Sequence, residues 1–278
     1  QKWLPGHTQA DVSNKLLEWF NEPLRGWCIS RDAPYFGFEI PGHKGKFFYV
    51  WVDAPIGYIA SLTDWCKRNG KKLEDYWSTS PDQAPKSEIY HFIGKDIIRF
   101  HCLFWPGMLH TAGFQGPDKV FVHGFLTVNG EKMSKSKGTF VNARTYLDHL
   151  PPEALRYYYA AKIGGTTDDM DLNLSDFVQR VNSDLVGKIT NIASRGAQML
   201  QKKLGGTLGT LDEEGRALIA KCREAADRIA RNYEDRRFSQ AVVEICRLAD
   251  AANEYFDSKE PWKTVKTYAE TTRTTLTA

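Results

Sequence analysis

The sequence predicts an α/β protein with a doubly wound, largely parallel sheet, followed by an α-helical bundle. Between residues 47 and 125, short apolar runs of β-forming residues alternate with helical patterns, which is typical of a sheet with helices on its faces. From Tyr146 the pattern turns helical, and beyond Ser175 it stays helical, with apolar residues at helical spacing. The chain is therefore expected to hold about two domains.

The elements are predicted in order from apolar runs and turn residues. A short amphipathic helix is expected over Asp11 to Phe20, within a segment rich in Gly, Pro and aromatic residues. The run Phe47 to Val52 reads as a strand buried on both faces, because it is continuously apolar. The α/β region then continues with a helix over 55–69, a strand over 87–93, a helix over 96–111 and a strand over 119–123.

Composition excludes several classes of protein. The 278 residues are 42% hydrophobic, enough for a large core, but no apolar stretch reaches the length of a membrane span. The N-terminus lacks a secretion signal, so we expect a cytoplasmic protein. A net charge of +3 is too small to indicate a nucleic-acid binder by itself. The five cysteines are scattered without a metal-ligand spacing, and we expect no metal site and reduced, buried thiols.

A ligand site is predicted where the strand over 47–52 ends. Asp53 can cap a helix and Pro55 fits a first helical turn, so Trp51, Pro55 and Tyr58 should cluster at a strand-to-helix switch. Ligands of open parallel sheets bind at this carboxyl edge. In the helix over 96–111, one stripe consists of Ile97, His101 and Trp105, and a neighbouring one of Phe100 and Phe104. Core packing explains such stripes equally well.

The segment Gly94-Lys95-Asp96 lies at a second strand-to-helix switch. Asp96 is placed to accept hydrogen bonds from a ribose, although a helix cap is its default role.

The most distinctive segment is Glu131 to Gly138, which carries three lysines, two serines and a glycine, with no hydrophobic face. Ammonium and hydroxyl groups on a loop suit a polyphosphate whose charge grows during reaction. A solvated basic turn is the alternative.

Two further positions lie in the helical region. Asn191 and Arg195 are four residues apart and project away from the apolar stripe of their helix, where they can reach a partner together. Trp262 follows Pro261 and, by its pattern alone, is a core residue.

Several of these segments resemble one enzyme family. Lys-Met-Ser-Lys-Ser matches the signature loop of class I aminoacyl-tRNA synthetases, and residues 122–130 resemble the hairpin that presents it. Val-Trp-Val-Asp-Ala-Pro-Ile-Gly-Tyr at residues 50–58 resembles the methionyl-tRNA synthetase family, as do residues 31–37 and 91–96. The resemblance runs along essentially the whole chain.

The resemblance implies a division into four parts. Residues 1–46 would be the tail of an inserted connective domain, and residues 47–125 the second half of a Rossmann-like catalytic domain. Residues 126–185 would form the signature-loop junction, and residues 186–278 a truncated α-helical anticodon-binding domain. The first signature, His-Ile-Gly-His or a close variant, is not found, so we expect the N-terminal half of the protein to be missing and this chain alone to be inactive.

The resemblance also implies roles for individual residues in joining methionine to tRNA(Met) with ATP, with Mg²⁺ accompanying the ATP. The expected methionine-binding residues are Trp51, Pro55, Tyr58, Ile97, Phe100, His101 and Trp105. The expected ATP-binding residues are Gly94, Asp96, Lys132, Met133, Ser134, Lys135 and Ser136, of which Lys132 and Lys135 are catalytic. The expected anticodon-binding residues are Asn191, Arg195 and Trp262.

Two alternatives remain at this point. Another class I synthetase, such as one for cysteine, leucine or valine, would share the lysine loop, but residues 53–58 argue against it. A non-catalytic tRNA-binding module would keep the helical domain, but the retained loop lysines and aromatic cluster argue against it.

Overall fold

The chain forms two compact units in the computed structural model, which describes residues 2–23, 25–80, 87–133 and 140–278. The first unit consists of residues 1–124 with 166–168, and the second of residues 125–165 with 169–278.

The first unit is built around a parallel pair of strands with a helical crossover. Its helices and strands are α1 (Ala10–Glu18), β1 (Ser30–Asp32), β2 (Lys46–Phe48), α2 (Val50–Asp53), α3 (Ile56–Arg68), β3 (Tyr90–Gly94), α4 (Trp105–Thr111) and β4 (Lys119–His123). Strands β3 and β4 pair in parallel, with Tyr90 opposite Lys119 and Gly94 opposite His123. A single turn (Lys95–Ile97) and a π-helical stretch (Phe100–Phe104) lead from β3 into α4. The carboxyl ends of the two strands therefore lie side by side at Gly94 and His123.

The core of this unit lies between the parallel pair and α1. Ile93 and Val120 from the strands pack with Val12 from the helix, and each is at most 3% exposed. Leu4, Leu16, Cys102 and Val122 complete the buried cluster. The amphipathic pattern predicted over Asp11 to Phe20 thus gives a helix whose apolar face covers the sheet.

The prediction of a strand from Phe47 to Val52, buried on both faces as in a parallel sheet, is wrong: only its first half is a strand, and that strand is antiparallel and at most half-buried. Strand β2 ends at Phe48 and pairs antiparallel with β1, and the chain turns helical at Val50. The backbone N–H of Val50 donates to the Tyr35 hydroxyl (3.0 Å) instead of to a neighbouring strand. Asp53 ends α2 and caps nothing, and Pro55 is the N-cap of α3. The aromatic and β-branched composition favours a strand, but tertiary contacts override it.

The other predicted elements of the α/β region are confirmed as elements. The helix over 55–69 is observed at Ile56–Arg68, and the strand over 119–123 has the predicted bounds. The strand over 87–93 begins three residues later, at Tyr90. The helix over 96–111 is helical throughout, although not α-helical from its start.

The second unit combines a three-stranded sheet with helices. Its elements are β5 (Leu126–Val128), β6 (Glu131–Lys132), α5 (Ala143–Leu147), α6 (Pro152–Lys162), β7 (Met170–Leu172), α7 (Leu174–Arg180), α8 (Asn191–Leu204), α9 (Glu213–Glu234), α10 (Phe238–Lys259), α11 (Pro261–Thr264) and α12 (Ala269–Thr277). A π-helical stretch (Val181–Thr190) joins α7 to α8 without a break. The sheet order is β6-β5-β7, with β5 antiparallel to β6 and parallel to β7.

The prediction of buried thiols is wrong for two of the five cysteines. Cys66 and Cys102 are buried, whereas Cys28 and Cys222 are exposed and Cys246 is half-buried. Over the described residues, no helix combines the length and apolar character that a membrane crossing requires.

Candidate active site and helical aromatic face

The predicted aromatic site of the first unit is assembled from α2, α3 and the crossover after β3. The Trp51 ring stacks on Phe100 with centroids 4.9 Å apart and an interplanar angle of 8°, and it meets His101 edge-on at 5.7 Å. Tyr58 lies 6.3 Å from Trp105, ring to ring. With the hydrogen bonds of His101 to Tyr58 and to the Ile97 carbonyl, six of the seven expected residues contact one another in one cluster. Pro55, the seventh, is buried at the start of α3.

Two hydrogen bonds fix the protonation of His101. Its Nδ1 lies 3.2 Å from the carbonyl oxygen of Ile97, and its Nε2 lies 2.9 Å from the Tyr58 hydroxyl. A carbonyl only accepts, so Nδ1 carries the proton and Nε2 accepts the Tyr58 O–H. Burial lowers the pKa of His101, partly offset by the bond to Ile97, and burial raises the pKa of Tyr58. The pair is thus a neutral, oriented polar group within an aromatic surface.

His91 and Trp27, which were not among the residues predicted from the sequence, also belong to this cluster. The Trp105 indole N–H donates to Nε2 of His91 (3.2 Å), and Trp27 stacks on Phe104 with centroids 4.1 Å apart. The alternation of burial along β3 could have identified His91, because it shares a face with the buried Ile93. No local pattern places Trp27, which lies in an irregular segment far from Phe104 in sequence.

The segment predicted to contact the adenosine of ATP, Gly94-Lys95-Asp96, lies at the carboxyl end of β3. Gly94 is the N-cap of the turn that follows β3, so the default role of helix cap for Asp96 is wrong. The Asp96 side chain instead folds back, and a Cβ at position 94 would lie 2.8 Å from its Oδ1. Only glycine fits at position 94 without moving that carboxylate. An exposed carboxylate thus stands at the carboxyl edge of the parallel pair.

In the second unit, the residues before the lysine loop form the hairpin β5–β6. Asn129 and Gly130 both have positive φ (50° and 78°), as the tight hairpin turn between these strands requires. The Asp171 carboxylate accepts from Gly130 N and from Thr127 Oγ1, both at 2.7 Å. These two bonds are also the main reasons why the pKa of Asp171 is lowered.

The start of the lysine loop is anchored to this hairpin. Met133 packs against the core cluster around Val128 and Tyr158, and Lys132 Nζ lies 5.5 Å from the centroid of the Phe125 ring. Ser134, Lys135 and Ser136 lie outside the described residues. Among the residues that are described, no group of three or more His, Cys, Asp or Glu side chains could hold a metal ion.

The three predicted anticodon residues lie on or beside α8 and α10. The Arg195 guanidinium lies over Phe256 (4.5 Å) and over Trp262 (5.4 Å), and it pairs with Asp257 (3.0 Å). Trp262 is 41% exposed, so the core role that its pattern alone suggests is wrong. Asn191 is exposed at the first residue of α8, one turn before Arg195.

The break between α10 and α11 presents Trp262. Glu260 has a φ of 45° and ends α10, and Pro261 then begins α11. Proline fits the first position of a helix, where no N–H bond is needed. The result is an exposed aromatic ring beside the Arg195 guanidinium, and both planes can stack on an unpaired base.

Comparison with known proteins identifies the class. A family model covers residues 1–197, which include the first unit and the hairpin β5–β6. The model is described as tRNA synthetases class I (M), and the chain belongs to this family.

Similar proteins are longer than this chain. A methionine--tRNA ligase of Bdellovibrio bacteriovorus is 57% identical over all 278 residues, which make up 40% of that protein. The Mycobacterium tuberculosis methionyl-tRNA synthetase in complex with methionyl-adenylate superposes with a TM-score of 0.83 and 30% identity, over 98% of this chain and 53% of that one. The apo form of the same enzyme gives a TM-score of 0.79 at 27% identity, over 99% and 54% of the two chains. The chain thus spans about half or less of the relatives it matches.

Proposed function

We propose that the protein containing this chain activates methionine with ATP and transfers the methionyl group to tRNA(Met). The observation that carries the proposal is the aromatic cluster around Tyr58 and His101, found in a chain of this family. A thioether is apolar and polarisable, and each sulfur–aromatic contact contributes roughly 0.3 to 1.5 kcal/mol. The cluster offers aromatic faces and no charged partner, which suits methionine and not a polar amino acid.

In the first step, the methionine carboxylate attacks the α-phosphate of ATP to form methionyl-adenylate and release pyrophosphate. No protein nucleophile is required, so catalysis consists of positioning and charge stabilisation. We assign Asp96 and Gly94 to the adenosine, since both lie at the carboxyl edge of a parallel pair. We assign Lys132 and Lys135 to the phosphates, with Met133, Ser134 and Ser136 as loop contacts. Mg²⁺ would arrive with ATP, held mainly by phosphate oxygens.

In the second step, the methionyl group moves to the terminal ribose of tRNA(Met). The arrangement of Arg195, Phe256 and Trp262 supports anticodon binding, because aromatic and guanidinium planes grip unpaired bases. Asn191 would add hydrogen bonds from the preceding helical turn. The helices after residue 186 would then be an anticodon-binding bundle.

The proposed function also implies a domain assignment for the first unit. The first unit would hold the second half of a Rossmann-like domain after the tail of a connective domain, with its first half in an N-terminal part of the protein. We propose a cytoplasmic location, where both ATP and tRNA are present.

The proposal is tested on the full-length protein by ATP/pyrophosphate exchange with each of the twenty amino acids. Methionine alone should support exchange. A second assay, with tRNA(Met) and labelled methionine, tests the transfer step. Exchange with cysteine, leucine or valine in place of methionine would reject the assignment.

A further inference from the structure

A second buried histidine lies behind the aromatic cluster. His91 is 7% exposed on β3, and Nε2 of its ring accepts the Trp105 indole N–H at 3.2 Å. The indole N–H can only donate, so His91 Nε2 is unprotonated and the ring proton is on Nδ1. Trp105 is itself 2% exposed, and His91 is the hydrogen-bond acceptor that its N–H finds.

The His91 ring also contacts Tyr58 and His101 in the same cluster. The His91 ring centroid lies 4.8 Å from that of Tyr58, with 38° between the planes, and 5.9 Å from that of His101. One buried imidazole therefore contacts groups from α3 and from the crossover after β3. On its other side, Trp105 meets Trp77 edge-on at 6.3 Å, within a cluster that includes the buried Leu109. The Trp105 ring is thereby held from two directions.

We propose that His91 is a positioning residue for the methionine side-chain pocket, acting through Trp105 and Tyr58. The proposal rests on the proposed function, since the pocket is the one assigned to methionine above. The bond to His91 fixes the tilt of the buried Trp105 ring, and both rings pack against Tyr58, so they hold the partly exposed Tyr58 in place at the pocket. Losing the acceptor leaves a buried N–H unpaired, and the indole must then tilt to find another partner.

Three substitutions in the full-length protein separate positioning from simple packing. His91→Gln keeps an acceptor, His91→Leu fills the space without one, and Trp105→Phe removes the donor. We expect His91→Leu to raise KM for methionine about tenfold, with kcat and KM for ATP within about threefold. His91→Gln should restore most of the methionine affinity. In a Trp105→Phe background, His91→Leu should cost less than about twofold, because the bond it removes is already absent.

A measurement on the unsubstituted protein tests the geometry without depending on activity. With ¹⁵N-labelled histidine and tryptophan, NMR at pH 7 should show His91 protonated on Nδ1 and the Trp105 indole proton slow to exchange. The opposite tautomer would overturn the proposal even if His91→Leu fails to fold. Equal KM losses in His91→Gln and His91→Leu, or an undiminished loss in the Trp105→Phe background, would also overturn it. An unsubstituted enzyme that activates a different amino acid would reject the proposed function alone, because the NMR result would be unaffected.

Discussion

The hydroxyl of Tyr58 lies 2.9 Å from Nε2 of His101, and this bond joins two elements that are 43 residues apart in sequence. Nδ1 of His101 is bound to the Ile97 carbonyl, so the Tyr58 proton points toward the imidazole. The Tyr58 oxygen therefore offers only lone pairs to any other group. This relationship orients both rings in the pocket assigned to methionine.

Removing the Tyr58 hydroxyl should weaken methionine binding. Tyr58→Phe leaves Nε2 of the buried His101 without its donor, and a lost hydrogen bond of this kind costs about 1 to 1.5 kcal/mol. We expect KM for methionine to rise about five- to tenfold, with KM for ATP unchanged, in pyrophosphate exchange. Tyr233→Phe, at an exposed tyrosine on α9, is the matched control and should behave as the unsubstituted enzyme. Equal KM values for Tyr58→Phe and the control would show that the Tyr58 hydroxyl does not contribute to methionine binding.

The histidine pair should make the protein less stable in acid. Burial, then the nearby His101, lowers the pKa of His91 to about 4, and burial also lowers that of His101. An imidazole whose pKa is lowered by folding contributes its full stability at pH values above its unfolded-state pKa of about 6.5. That contribution is lost as the pH falls from about 6.5 toward 4. For His91, the loss should be about 2 to 3 kcal/mol of unfolding free energy.

The measurement is denaturant unfolding at pH 7, 5.5 and 4, comparing the unsubstituted protein with His91→Gln. Carboxylates titrate in both proteins, so the difference between the two curves isolates the imidazole. The unsubstituted protein should lose more stability on acidification. Parallel curves would mean that His91 is charged or accessible in the folded state.

Asp171 should control the rate of activation through the hairpin before the lysine loop. Its carboxylate holds Gly130 N and Thr127 Oγ1, so Asp171→Ala frees the turn that leads into Lys132. Displacing a reacting group by about 1 Å costs up to about a hundredfold in rate. We expect a tenfold to hundredfold slower methionine activation in pre-steady-state assays, with methionine affinity unchanged. Asp227→Ala on the exposed side of α9 is the control. A normal rate with Asp171→Ala would show that the geometry of the hairpin does not affect methionine activation.

Trp262 should matter for transfer to tRNA and not for adenylate formation. Stacking on an unpaired base is worth about 1 to 3 kcal/mol, so Trp262→Ala should reduce kcat/KM for tRNA(Met) about ten- to a hundredfold. Pyrophosphate exchange without tRNA should be unchanged. Tyr233→Ala removes an aromatic side chain of similar exposure (43% against 41%) and should affect neither assay. Equal loss in both assays for Trp262→Ala would make this tryptophan a structural residue.

Much of the site could be predicted because its residues follow local rules. Ile97, His101 and Trp105 are four apart, so α-helical or π-helical geometry brings them near one face. What could not be predicted depends on contacts between distant residues. At the start of α2, for example, the Val50 N–H donates to the Tyr35 hydroxyl, fifteen residues away, and no local pattern predicts this bond. Strand alternation alone puts His91 on the buried face of β3, but its hydrogen bond to Trp105, in another element, could not be predicted.

The predicted anticodon-binding residues show the same limit of prediction from sequence. The four-residue spacing of Asn191 and Arg195 predicts that they share a side of α8. The partners of Arg195, which are Phe256, Asp257 and Trp262, lie more than sixty residues later, and only packing of α10 beside α8 brings them there.

The most direct test of the proposed function is amino-acid-dependent ATP/pyrophosphate exchange by the full-length protein, with Lys135→Ala alongside it. We predict exchange with methionine alone. We also predict a loss of about a hundredfold to a thousandfold in turnover for Lys135→Ala, with methionine affinity nearly unchanged, because one transition-state charge contact is removed. Exchange with another amino acid, or undiminished turnover in Lys135→Ala, would contradict it.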